Sequence, residues 1–162
     1  MIKWLHKQLL LFLEVFMAGI MRNMNHITRC QAIYRAERLS ELGLTGAHAS
    51  FILAIARMPG VSQEALARDL CLNKSTVTRT LAYFEECDYV TRRPSSEDKR
   101  AMHVYPTAKM MKILPRVREV TREWSDLLSE GIDEGELSVF LSVITKMESR
   151  ARELVGREEG ER

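Results

Sequence analysis

Between Ser62 and Cys87 the chain sets two short amphipathic helices only three residues apart, which narrows its fold more than any other feature. Ser62 is a natural N-cap for QEALARDL, whose Leu66 and Leu70 fall at i and i+4. Asn73 caps the second helix, KSTVTRTLAYFEEC, which carries Val77, Leu81 and Phe84 on one face. Helices joined by so short a turn cannot lie antiparallel in full contact. They cross steeply and are expected to bury Leu66, Leu70, Leu72, Val77 and Leu81, with the small Ala67 letting the backbones approach. That is the pattern of a helix-turn-helix unit.

Beyond it the hydrophobic period changes from 3.6 to 2. Tyr89-Val90-Thr91-Arg92-Arg93 and Ala101-Met102-His103-Val104-Tyr105 read as strands, and the polar, proline-bearing PSSEDKR between them reads as a hairpin tip. A hairpin directly after a helix-turn-helix is a wing. Elsewhere the chain is helical: Gly and Pro number 8 and 4 in 162 residues, roughly half the usual share, which argues against sandwiches and barrels. The fold class is therefore mainly α with a small β-hairpin wing, a winged helix-turn-helix. The expected divisions are N-terminal helices over 1–42, the winged unit over 43–106, and C-terminal helices over 107–162. The last helix has more apolar positions than one neighbour needs (Leu137, Phe140, Leu141, Ile144, Met147, Ala151 and Leu154), which fits a dimer interface.

Residues 9–21, LLLFLEVFMAGIM, are the most apolar stretch, yet Glu14 interrupts them and thirteen residues are too few to span a bilayer. They read as an amphipathic or dimer-buried helix, with an over-long start across residues 1–23 and a targeting segment as the alternatives. Cys30, Cys71 and Cys87 form no CxxC pair, so neither a disulfide scaffold nor a zinc ribbon is expected, and a reducing cytoplasm is the natural home.

Net charge is uneven along the chain. Residues 1–129 hold 19 Lys and Arg against 13 Asp and Glu, whereas 130–162 hold 5 against 9. A basic body is compatible with a polyanionic partner. The start of the second helix presents Asn73, Lys74, Ser75, Thr76, Thr78 and Arg79, with no acid over 73–82. Hydroxyls and free N–H groups at a helix start suit phosphate oxygens, Arg79 suits a guanine edge and Asn73 an adenine. The same residues also make an ordinary solvated helix start. In the hairpin, Arg92, Arg93, Lys99 and Arg100 lie near Glu97 and Asp98. They form either a surface ion-pair cluster or a minor-groove reader, with Asp98 holding the Arg100 guanidinium.

Residues 44–107 closely resemble the MarR family of winged-helix transcriptional regulators, through LTGAHASFILAI, NKSTVTR and the wing's Asp98-Lys99-Arg100. Weaker likeness reaches roughly residues 25–155. The resemblance implies a homodimer joined by its first and last helices, reading a pseudo-palindrome of double-stranded DNA. It also implies repression relieved by a small aromatic or phenolic effector or an oxidant. On the same footing Tyr34, His48 and Phe51 are candidate effector contacts, and Cys30, in the first helix, is a candidate redox sensor. Three positions depart from the family pattern: Asp88 and Cys71 stand where glycine is common, and Met110 replaces the glycine of T-x-K-G. No cofactor is expected, His26, His48 and His103 have no metal-ligand spacing, and no phosphate loop or nucleophile-base constellation points to an enzyme. The competing reading is a winged-helix protein-interaction module that does not bind DNA.

Overall fold

A computed structural model describes residues 2–94 and 102–160, with side-chain burial described for 14–94 and 102–155. In chain order the elements are α1 (Ile2–Arg38), a 3₁₀ turn (Ser40–Leu42), α2 (Gly46–Arg57), β1 (Val61–Ser62), α3 (Gln63–Leu70), α4 (Lys74–Glu86), β2 (Val90–Pro94), β3 (Met102–Pro106), α5 (Ala108–Ser129) and α6 (Glu134–Gly160). The mainly helical winged class read from the sequence is the one observed. Two compact units divide inside α2, between Ser50 and Phe51.

In the first unit, α1 runs unbroken through the apolar N-terminal segment and on to Arg38. It ends at Arg38, inside the N-terminal region 1–42. A 3₁₀ turn takes over there, and Gly43 (φ 67°) closes it. α2 starts against α1 so closely that a Cβ on Gly46 would stand 2.1 Å from the carbonyl oxygen of Ala32. Only glycine fits that approach. The Thr45 main-chain N–H donates to His48 Nδ1 at 3.3 Å, a local cap for the helix start.

The second unit holds the winged core. Phe51, Ile52, Ile55, Leu66, Val77, Leu81, Phe84, Val90 and Val104 are all buried, and Phe84 meets Phe51 and Tyr89 edge-on at 6.2 and 5.8 Å. Edge-to-face contact is the favoured arrangement of ring quadrupoles. The strands form one antiparallel sheet in the order β1-β3-β2, with Val61 opposite Val104 and Arg93 opposite His103. β1 has two residues, too few for any period-2 signal, and sequence reading missed it. Leu72, expected inside the helix crossing, is 38% exposed. With Cys71 in the left-handed region (φ 52°) and the Leu72 N–H turned back to the Ala67 carbonyl, the turn carries that side chain outward.

α5 begins at the Thr107 cap, with Met110 fully buried in the place of the family's glycine. Gly131 (φ 76°) follows its end. Asp133 and Glu136 form a capping box at the start of α6: Asp133 Oδ1 accepts from the Gly135 N–H at 2.8 Å, and Glu136 Oε2 accepts from the Asp133 N–H at 3.4 Å. Val139, Phe140, Leu141 and Val143 of α6 stay exposed in the single chain, as do Val15, Phe16 and Ile33 of α1.

Candidate nucleic-acid interface

Both helices of the helix-turn-helix start where the sequence places their caps. Ser62 Oγ accepts from the Ala65 N–H at 3.1 Å, and Asn73 Oδ1 from the Thr76 N–H at 2.8 Å. The Ser75 hydroxyl also donates to Asn73 Oδ1 at 2.9 Å, and Thr78 Oγ1 donates to the Lys74 carbonyl at 2.9 Å. Asn73 is thus occupied as a cap, which leaves its amide oxygen poorly placed to read an adenine. Lys74, Ser75, Thr78 and Arg79 are exposed, and Thr76 is half-buried. Lys74 Nζ sits 3.0 Å from Glu64 Oε1 of α3, an exposed pair that holds the Glu64 carboxyl below its usual range. Glu64 lies outside the acid-free run 73–82, and no local spacing announces this pairing. Arg79 has no ion pair among the described residues.

The far end of α4 is fastened by contacts no local motif announces. The Lys109 ammonium of α5 donates to the Cys87 carbonyl at 2.7 Å, and Thr107 Oγ1 to the Asp88 carbonyl at 2.7 Å. A cation on the last carbonyls of a helix is favourable both as a hydrogen bond and against the dipole. Asp88 takes φ 59°, the left-handed conformation expected where the family has glycine.

The wing root is tied to α4 through one carboxylate. Glu85 Oε1 accepts from the Arg92 main-chain N–H at 3.2 Å, and Oε2 accepts from Arg92 Nε at 2.8 Å and from Arg92 Nη2. These bonds keep the Glu85 carboxyl below its usual range. Arg92, read from sequence as a DNA contact, is therefore turned inward and fixes the angle between α4 and β2. Arg93 is exposed, its guanidinium 5.2 Å from the Tyr105 ring centre. At the other end of β3, His103 Nδ1 lies 2.6 Å from the Gly60 carbonyl. Asp98, Lys99 and Arg100 lie outside the described residues.

The remaining candidates are dispersed. Tyr34 is half-buried beneath the Arg38 guanidinium, 3.6 Å from its ring centre. His48 is half-buried, and desolvation lowers its pKa. Phe51 is a core residue of the winged unit. Cys30 is an exposed free thiol on α1. Among the described residues no group of His, Cys, Asp and Glu is placed to hold a metal ion, and no helix is long and apolar enough to cross a membrane.

A capped helix pair crossing at a tight turn, followed by a hairpin fastened to its second helix, defines a winged helix-turn-helix protein. The chain matches the MarR family profile over residues 42–101. It is 24% identical over 131 residues to the uncharacterized HTH-type transcriptional regulator YybA of Bacillus subtilis (strain 168), covering 81% of this chain and 87% of that one. The crystal structure of MarR superposes with a TM-score of 0.74 at 28% identity, over 83% of this chain and 91% of that one. A putative MarR family regulator from Listeria monocytogenes, solved with a 26mer DNA, has the same fold (TM-score 0.78, 18% identity, 82% of this chain and 89% of that one). Family and fold are those of transcriptional regulators rather than of enzymes.

Proposed function

We propose that the chain is a DNA-binding regulator that acts as a cytoplasmic homodimer on a pseudo-palindromic operator, represses transcription and is released by a small aromatic acid or an oxidant. The observation that carries this reading is the exposed, acid-free face of α4, offered from a helix fixed at both ends. In it, the N-terminal turn of α4 meets phosphates through Ser75, Thr76 and Lys74, and Arg79 enters the major groove. Lys74 leaves Glu64 to do so, a small cost because exposed pairs contribute little. Arg93, with Lys99 and Arg100 of the wing, addresses the flanking backbone and minor groove, with Asp98 steadying Arg100. Arg92 acts indirectly, by setting the wing. The exposed faces of α1 and α6 supply the dimer contact. Tyr34 and His48 are the effector contacts retained, and Cys30 is the thiol an oxidant would reach.

Fluorescence anisotropy tests this, with the protein's own upstream intergenic DNA against scrambled DNA across a salt series. Tight binding to the native DNA, a steep salt dependence and one dimer per site are expected. Arg79→Ala is expected to cost about 1–3 kcal/mol per half-site and to relax specificity at one position. Lys74→Ala should weaken all sequences alike and flatten the salt slope. Equal, weak binding of both DNAs would instead favour the protein-interaction module.

A further inference from the structure

The last four carbonyls of an α-helix have no partner inside it, and two at the end of α3 find one on another element. Arg152 of α6 donates from Nη1 to the Arg68 carbonyl and from Nη2 to the Asp69 carbonyl, each at 3.2 Å. One guanidinium thus forks onto two successive carbonyls, a fit that its parallel N–H groups allow and a lysine ammonium does not reproduce. Glu148, one turn back on α6, accepts from Arg152 Nε at 2.8 Å and aims the fork. The Asp69 carboxylate is meanwhile held by Arg57 of α2, at 2.8 and 2.7 Å. The end of α3 is therefore gripped from α2 through a side chain and from α6 through the main chain.

The Arg152 side chain keeps 44% exposure, so solvent screening leaves these bonds little net stability, and what they fix is geometry. The grip falls just before the turn that launches α4. Cys71 follows at φ 52°, its N–H on the Arg68 carbonyl at 3.3 Å, and the Leu72 N–H closes on the Ala67 carbonyl at 2.9 Å. Asn73 then caps α4. We propose that Arg152 is a positioning residue for DNA reading: it hangs the end of α3 from α6, so that α6 sets where α4 meets the groove. A reading side chain needs its supporting residues held to within about 0.5 Å, and Arg79 receives that support through the turn. Val143, exposed, stands nine residues before Arg152 and so on the opposite side of the helix; covering that apolar side leaves the grip intact. The consequence for DNA rests on the regulator reading above, whereas the tie between α6 and α3 does not.

The test compares the full-length parent with Arg152→Met and Arg152→Lys. Without DNA, amide hydrogen exchange followed by NMR is expected to quicken about two- to tenfold at Cys71 and Leu72 in both variants, and to stay at the parent's rate at Phe84 and Val104. Melting temperatures should stay within about 2 °C of the parent. With the upstream intergenic DNA, both variants should lose several-fold in affinity, and with scrambled DNA neither should change in affinity or salt slope. Parent-like exchange at Cys71 and Leu72 in Arg152→Met would refute the tie. Faster exchange with unchanged operator affinity would refute the positioning role. A salt slope flattened by about one in Arg152→Met and restored in Arg152→Lys would also refute it, since Arg152 would then be a phosphate contact itself. If the parent binds both DNAs alike, the regulator reading falls and the consequence for DNA with it, while the exchange rates still decide the tie.

Discussion

Replacing Glu85 with Gln should loosen the wing from α4, and the structure sets the size of the effect. The carboxylate accepts three hydrogen bonds, all from Arg92. Bonds to a charged group contribute about 1.5–3 kcal/mol where they are shielded from water. Here the Arg92 and Glu85 side chains keep 23% and 36% exposure, so solvent screening brings the sum down to about 1–1.5 kcal/mol. For a chain of this length that is a fall of about 2–6 °C in melting temperature. The sign with pH follows from Glu85 having its carboxyl pKa depressed by Arg92. A depressed carboxyl stabilises the fold fully above its unfolded pKa, about 4.3, and the contribution is lost as pH falls through the lower, folded value. Glu85→Gln never has that contribution. Urea titrations of parent and variant should therefore show a constant gap from pH 8 to about pH 5, closing on further acidification. Equal midpoints at pH 7, or a gap unchanged in acid, would show that the clasp does not hold the wing.

Substitutions at three further positions test the helix-turn-helix and its support. Cys71→Gly should stabilise by about 0.5–1 kcal/mol in urea, because Cys71 holds φ 52° and glycine adopts that region without a Cβ penalty; a loss would mean that the Cys71 side chain contributes packing. Asn73→Ala should cost about 1 kcal/mol in the same assay while Asn73→Asp costs little, and the DNA affinity lost by Asn73→Ala should be the same for every operator variant. A base-specific loss would make Asn73 a reader after all. Gly46→Ala should destabilise by about 3 kcal/mol, since its Cβ meets main chain rather than a movable side chain; melting within a degree of the parent would refute the close approach.

What the sequence made legible is what acts over three or four residues. Ser62 and Asn73 cap the helices they precede, and each bond spans three residues. Period and cap agree there, so local pattern suffices. The contacts that fix α4 in place span longer separations: Glu85 to Arg92, Lys109 to the Cys87 carbonyl, Lys74 to Glu64. Each joins one element to another, and nothing in the intervening residues selects the partner. Arg92 shows the consequence, since a cation in a wing reads as a DNA contact until its carboxylate is known. Arg35 follows the same rule: beside Glu37 and Arg38 in the last turns of α1 it looks solvated, and only the fold buries it.

The surplus apolar face of α6 is legible in part, through Phe140, Leu141 and Leu154, and its magnitude bears on how a homodimer would be built. Val139, Phe140, Leu141, Leu154 and Val155 are each more than half exposed in the single chain. Fully burying such a side chain is worth about 1.5–3 kcal/mol, so covering the exposed half contributes roughly 1 kcal/mol apiece. A twofold interface counts each residue twice, which gives on the order of 10 kcal/mol from α6. Association itself costs about 4–15 kcal/mol in lost freedom, so α6 alone roughly breaks even. In a homodimer, the exposed Val15, Phe16, Met17 and Ile33 of α1 would be the residues that turn a marginal contact into a stable one. A dimer of this chain is accordingly one in which both terminal helices are covered, and an interface confined to α6 would dissociate at working concentrations.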